Sequence, residues 1–128
     1  MKSSVYVDTN VILRFLLSDS PLHQPATKIF AAAEAGKFNI YLDEVILAEV
    51  IWVLLSFYKI NKSDIVAQLV PLVSQRWLTN PRKQVLLSAL KLYAANNLSY
   101  IDCWATSVSR SLHFPLKTFD RALQKLAS

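Results

Sequence analysis

Cysteine occurs once in these 128 residues, as Cys103. Without an intrachain partner it builds no disulfide, so Cys103 reads as a core residue and a reducing, cytoplasmic setting is expected. Glycine also occurs once, and no repeat, linker or low-complexity tract breaks the chain, so flexible joints are few and helices should dominate. The longest apolar run, Val45 to Leu55, contains Glu49 and falls well short of the ~20 residues that span a bilayer. The N-terminal apolar stretch is interrupted by Asp8, Asn10 and Arg14, so neither an export signal nor membrane insertion is expected. Acids are scarce too: nine Asp and Glu face 14 Lys and Arg. The imbalance is local. Residues 1–64 hold six basic against seven acidic side chains, and residues 65–128 hold eight against two.

The length fits one domain, residues 1–128, large enough to bury a core without staples. Its 53% hydrophobic content exceeds the usual ~45–50%. A monomer hides such an excess poorly, so a subunit or partner interface is expected, with Phe15, Leu16, Trp52, Leu55 and Phe57 as contributors. The basic second half favours polyanionic partners, nucleic acid above all.

The apolar run at residues 3–8 predicts a first strand, followed by a short helix over 11–17. After the turn SDSP, Leu22, Ala26, Ile29, Phe30 and Ala33 share a helical face as far as a stop at Gly36, with Pro25 obscuring where that helix begins. Phe38 to Leu42 reads as a second strand and 44–58 as a very apolar helix. Ser63 can cap the next, with Ile65, Val66, Leu69, Leu72 and Val73 inward and Pro71 expected to kink or split it. Arg76 to Thr79 fits a short strand. Asn80-Pro81 suits an N-cap and first position of a helix running to Asn96, and Ser99 can start another that ends before Pro115. A strand-like PLKT and a helix from about Asp120 close the chain. Strands separated by helices imply parallel pairing, hence an α/β domain of helix-sheet-helix layers around a short parallel sheet.

Within SVYVDTNVIL a carboxylate sits at the tip of a buried strand, where Asp8, Thr9 or Asn10 could equally cap the helix that follows. Asp120 likewise lies just past a predicted strand, and in a parallel sheet all carboxyl ends share the edge where α/β folds bind ligands. Glu49, in LAEVIWVLL, has Val45, Ile46, Trp52 and Val53 three and four residues away, so it is expected to be protonated, paired with a cation or turned to a polar cleft. Asp102 fits a capping box begun by Ser99. Each acid alone has a plain structural reading. Together they predict four carboxylates at one end of one sheet, an arrangement that a hard divalent ion would relieve of its repulsion. Zinc is not suggested, since no Cys pair exists and His23 and His113 stand apart as surface or loop residues.

These segments resemble the PIN-domain ribonucleases, specifically the VapC-type toxin subunits of toxin–antitoxin pairs, nearly end to end. VYVDTNVILRFLLSDSP is similar to the family's opening strand and first acid, DEVILAEVIWVL to the helix with the second, YIDCWATSVSRS to the segment with the third, and LKTFDRAL to the closing strand with its Thr-x-Asp. The low glycine content and Pro25 and Pro71 depart from the pattern. The resemblance implies that Asp8, Glu49, Asp102 and Asp120 form a catalytic Mg²⁺ site, with Mn²⁺ a possible substitute, and that Thr9, Asn10 and Thr118 surround it. It further implies RNA as substrate and an antitoxin as partner, and the apolar excess points to a homodimer that also holds an antitoxin peptide in a groove. Arg14, Arg110, Lys117 and Arg121 lie near the motifs and are candidate phosphate contacts. Two rival readings are a catalytically idle RNA-binding module and a phosphoacceptor signalling domain. The second wants another acid beside Asp8, where this chain has Val7 and Thr9.

Overall fold

The computed structural model describes residues 2–128 and shows seven helices with a three-stranded parallel sheet. Strand β1 is Ser4–Tyr6, β2 is Asn39–Tyr41 and β3 is Leu78–Thr79. The order is β1-β2-β3, with Val5 opposite Ile40 and Ile40 opposite Leu78. Helices α1 (Thr9–Leu16) and α2 (His23–Glu34) connect the first two strands, and α3 (Glu44–Ser56) and α4 (Lys62–Val73) the second pair. Helices α5 (Lys83–Ala95), α6 (Tyr100–Leu112) and α7 (Arg121–Ala127) follow. Ile40, Leu42, Leu47, Val50, Leu69, Leu86 and Leu90 form the dry centre. Phe15 and Leu16, expected to serve an interface, instead pack against this core, Phe15 stacking on Phe30 with centroids 4.1 Å apart. Trp52 and Phe57 do remain outside, 65% and 72% exposed.

Local chemistry explains the helix ends. Asp8, Asp43, Asn61, Ser99 and Asp120 each accept a backbone N–H at the start of α1, α3, α4, α6 and α7. For α4 the cap is thus Asn61 and not Ser63, and the Asn61 amide also donates to Asp64 Oδ2 at 3.1 Å. Pro71 does not split that helix, which runs through it to Val73. It stands in the last turn, and the carbonyl it leaves without a donor belongs to exposed Ala67, where water can serve it. Pro25 is the third residue of α2, where a free N–H has no intrahelical acceptor to lose. Gly36 leaves α2 at φ 89°, whereas Lys59 and His113 turn through φ 58° without being glycine.

Two further expectations fail. PLKT is not a strand: residues 114–118 are irregular, and among the described residues β1 pairs only with β2. Pro115 brings no N–H, Phe114 and Lys117 are exposed, and Thr118 is held locally, its carbonyl accepting from Gln124 Nε2 at 2.7 Å and its hydroxyl from the Asp120 N–H at 3.1 Å. Asn80 is also not the cap of α5, which starts at Lys83 behind Arg82. Its side chain turns inward. Buried Asn80 Nδ2 donates to Leu42 O at 2.7 Å and to Glu44 Oε2 at 2.8 Å, while Oδ1 accepts from Arg82 N at 2.7 Å.

Asn80→Ala strands the Leu42 carbonyl and the Arg82 N–H and leaves Glu44 with Arg82 as its one remaining partner. Urea unfolding should show it less stable than the wild type by roughly 1–3 kcal/mol; an unchanged midpoint would contradict this role.

Candidate functional site

All three strands run the same way, so the residues following them gather at one edge: Asp8 after β1, Asp43 and Glu44 after β2, and Asn80 after β3. Asp8 is exposed, with Oδ1 accepting from Val11 N at 3.1 Å. Its neighbour Thr9 reaches across to α3, Oγ1 donating to Glu49 Oε2 at 3.3 Å. Glu49 is thereby drawn beside the first acid's segment, but it is exposed and not buried as its neighbours suggested. The reason is that its own stripe, Val45 and Trp52 included, faces outward, because α3 is apolar nearly all round and only one side of it can be core.

Asp102 is half-buried in the first turn of α6, where its N–H donates to Ser99 Oγ at 3.2 Å and its carbonyl accepts from Thr106 Oγ1 at 2.9 Å. Helix α6 packs mainly on α5 and also touches α3 and α7. Asp120 caps α7 from an exposed position, its Oδ1 accepting from Leu123 N at 2.9 Å. With no strand before it, the sheet edge does not position it. Thr118 holds Asp120 by its N–H, and Asn10 is exposed near Asp8.

Arg14 is half-buried and faces inward: Nη1 donates to Tyr58 Oη at 3.5 Å, and Nε is buried without a partner. It lines a cleft of about 280 Å³ with Asp8, Asn10, Leu22 and Pro25. Arg110 is exposed, and its guanidinium donates to Leu126 O at 2.7 Å. Lys117 and Arg121 are exposed without a hydrogen-bond partner among the described residues. His23 is half-buried and structural, Nδ1 bonding Arg14 O at 2.8 Å, while His113 is exposed at the end of α6. Cys103 is buried as expected, and that burial pushes its thiol up.

Sequence reasoning missed the best-held acid of this edge. Glu44 is paired with Arg82, the one ion pair among the described residues, and accepts from Asn80. Arg82 in turn lies 5.0 Å over the Trp104 ring. The Arg82 hydrogen bond, reinforced by Asn80, holds the Glu44 carboxyl below its ordinary value against the opposing effect of burial. The one available signal was its place directly after the second strand.

The match to a family model settles the lineage: the PIN domain model covers residues 5–128. The chain belongs to the PIN domain family. Searches of curated proteins and of solved structures find no match. PIN domains are generally a nuclease fold and typically use divalent metal ions. Here the donor chemistry suits such an ion, since Asp8, Glu49, Asp102 and Asp120 offer carboxylate oxygens and none has a cationic partner among the described residues. The grouping is looser than coordination requires. Among the described residues no three His, Cys, Asp or Glu side chains stand together as ligands for one ion.

Because its folded-state value is depressed, Glu44 contributes stability that is complete above the ordinary carboxyl range and drains away as pH falls through the folded value. Thermal melts of the wild type and Glu44→Gln should therefore differ most near neutrality and converge as the pH is taken down through and below the ordinary carboxyl range. A constant difference over that span would contradict the ion-pair account.

Proposed function

We propose that this chain is a Mg²⁺-dependent endoribonuclease acting on single-stranded or looped RNA, and the toxin of a toxin–antitoxin pair. The Thr9–Glu49 hydrogen bond carries the reading, because it joins the Asp8-Thr9-Asn10 turn at the end of β1 to the acid of α3, two segments 40 residues apart. Family membership and the basic second half of the chain support a nucleic-acid substrate.

Asp8, Glu49, Asp102 and Asp120 are the residues that would hold the ion, Asp8 and Asp102 directly. When bound, such an ion supplies Lewis-acid polarisation of the phosphodiester and lowers the pKa of a water. The protein's own contribution is positional. Val11 N–H fixes the Asp8 carboxylate, Thr9 fixes Glu49, and the Ser99 hydroxyl fixes the turn that carries Asp102. Lys117 and Arg121, exposed and close to Asp120 in sequence, would neutralise the RNA backbone on approach.

Asp8→Asn and Asp102→Asn should each lower Mg²⁺-dependent cleavage of total RNA about a hundredfold or more, with circular dichroism unchanged. Undiminished cleavage by both would falsify the site. An idle RNA-binding module would instead bind RNA in a salt-sensitive way with no cleavage in Mg²⁺, and acetyl phosphate labelling of Asp8 would mark a phosphoacceptor.

The exposed apolar side chains Val45, Trp52, Phe57 and Ile101 support a homodimer. Light scattering at micromolar concentration should give twice the 14.5 kDa chain mass. A small DNA-binding protein encoded beside the toxin should co-purify with it, and a lone monomer in both experiments would contradict the toxin–antitoxin reading.

A further inference from the structure

The segment after α6, HFPLKTFDR, has no helix or strand through residue 120, and it displays its aromatics to water. Phe119 is 105% exposed and Phe114 63%, while Leu112 is also exposed beside them. An isolated exposed phenylalanine is ordinary, but two on one short irregular segment forgo burial that this otherwise well-packed chain gives to most of its large apolar residues. Their surroundings carry charge of one sign. From Cys103 to Ser128 the cations are Arg110, Lys117, Arg121 and Lys125 and the lone acid is Asp120.

We infer that Phe114 and Phe119 are a stacking platform for unpaired bases of a single-stranded RNA whose backbone runs along Lys117 and Arg121. Flat apolar rings offered to solvent bind any base by its face, and interleaved cations neutralise the phosphates between them, which is the physical pattern of sequence-tolerant single-strand binding. Charge complementarity selects this occupant over a second copy of the chain, because two such segments facing each other would bring like charges together. Double-stranded RNA is excluded by the same chemistry, since its bases keep their faces stacked inside the helix. The position beside Asp120 would deliver the strand to the acids discussed above, so the identity of the ligand as RNA rests on the ribonuclease reading.

The test is fluorescence anisotropy of a labelled short oligoadenylate with the full chain in EDTA, where no turnover takes place. The double variant Phe114→Ala/Phe119→Ala should bind roughly tenfold or more weakly, with circular dichroism unchanged. Phe114→Trp/Phe119→Trp should bind at least as well as the wild type. Lys117→Gln should reduce the salt dependence by about one counterion. An RNA duplex of equal length should bind weakly, and equally to the wild type and to the two Phe114/Phe119 double variants.

Wild-type affinity in the double alanine variant would overturn the platform, as would equal losses on single strand and duplex. So would a wild-type oligomer that the alanines dissociate while oligoadenylate binding stays intact, since the patch would then be a subunit contact. If the wild type fails to cleave RNA yet shows this aromatic dependence of binding, the platform stands and the nuclease reading falls. Cleavage without that dependence removes the platform and leaves the nuclease in place.

Discussion

Parallel pairing of three very short strands is the constraint on which the rest of this molecule depends. β2 is hydrogen-bonded on both sides, and its central Ile40 is fully buried between Val5 and Leu78. Strands of two or three residues contribute few ladder bonds, so the register must be secured beyond them. Asn80 does this at the edge where the strands end, bonding Leu42 O after β2 and Arg82 N after its own strand. The same direction of all strands sends Asp8, Asp43, Glu44 and Asn80 to one side of the molecule. Tyr6 joins the first two strand ends again, its hydroxyl donating to Asp43 Oδ2 at 3.0 Å.

That edge uses its acids in two ways. Glu44 is neutralised internally by Arg82 and Asn80 and ties α3 to the start of α5. Asp8, Glu49, Asp102 and Asp120 have no internal cation among the described residues, and all but half-buried Asp102 are exposed. An acid satisfied by its own protein holds the frame together, whereas one left without a cation is available to something that arrives from solution. Three of the second kind begin a helix or stand in its first turn, so the side chains proposed for chemistry also terminate secondary structure.

Much of this was legible in the sequence, for reasons that differ from place to place. The alternation from apolar run to polar turn located β1, β2 and all seven helices, because short strands and capped helices leave local marks such as Asp8, Gly36 and Ser99. Glu49 was placed on the correct helix but given the wrong environment, since periodicity reveals a stripe and not whether the stripe meets core or water. Asn80 looked like a cap because its long-range partners, Leu42 and Glu44, are 38 and 36 residues away and leave no local trace. The closing strand was misread because β-propensity in PLKT says nothing about whether a neighbouring strand will pair with it.

His113 at the end of α6 and Lys59 in the connection from α3 to α4 take left-handed backbone where glycine would be the easy choice. Each conformation carries a penalty of roughly 1–2 kcal/mol in the native state. Part of it is offset before folding begins, since a non-glycine residue at such a site narrows the disordered chain by about 0.4–1 kcal/mol relative to glycine. With a single glycine among 128 residues, this polypeptide starts from an unusually stiff random coil and surrenders less freedom than most chains of its length when it collapses.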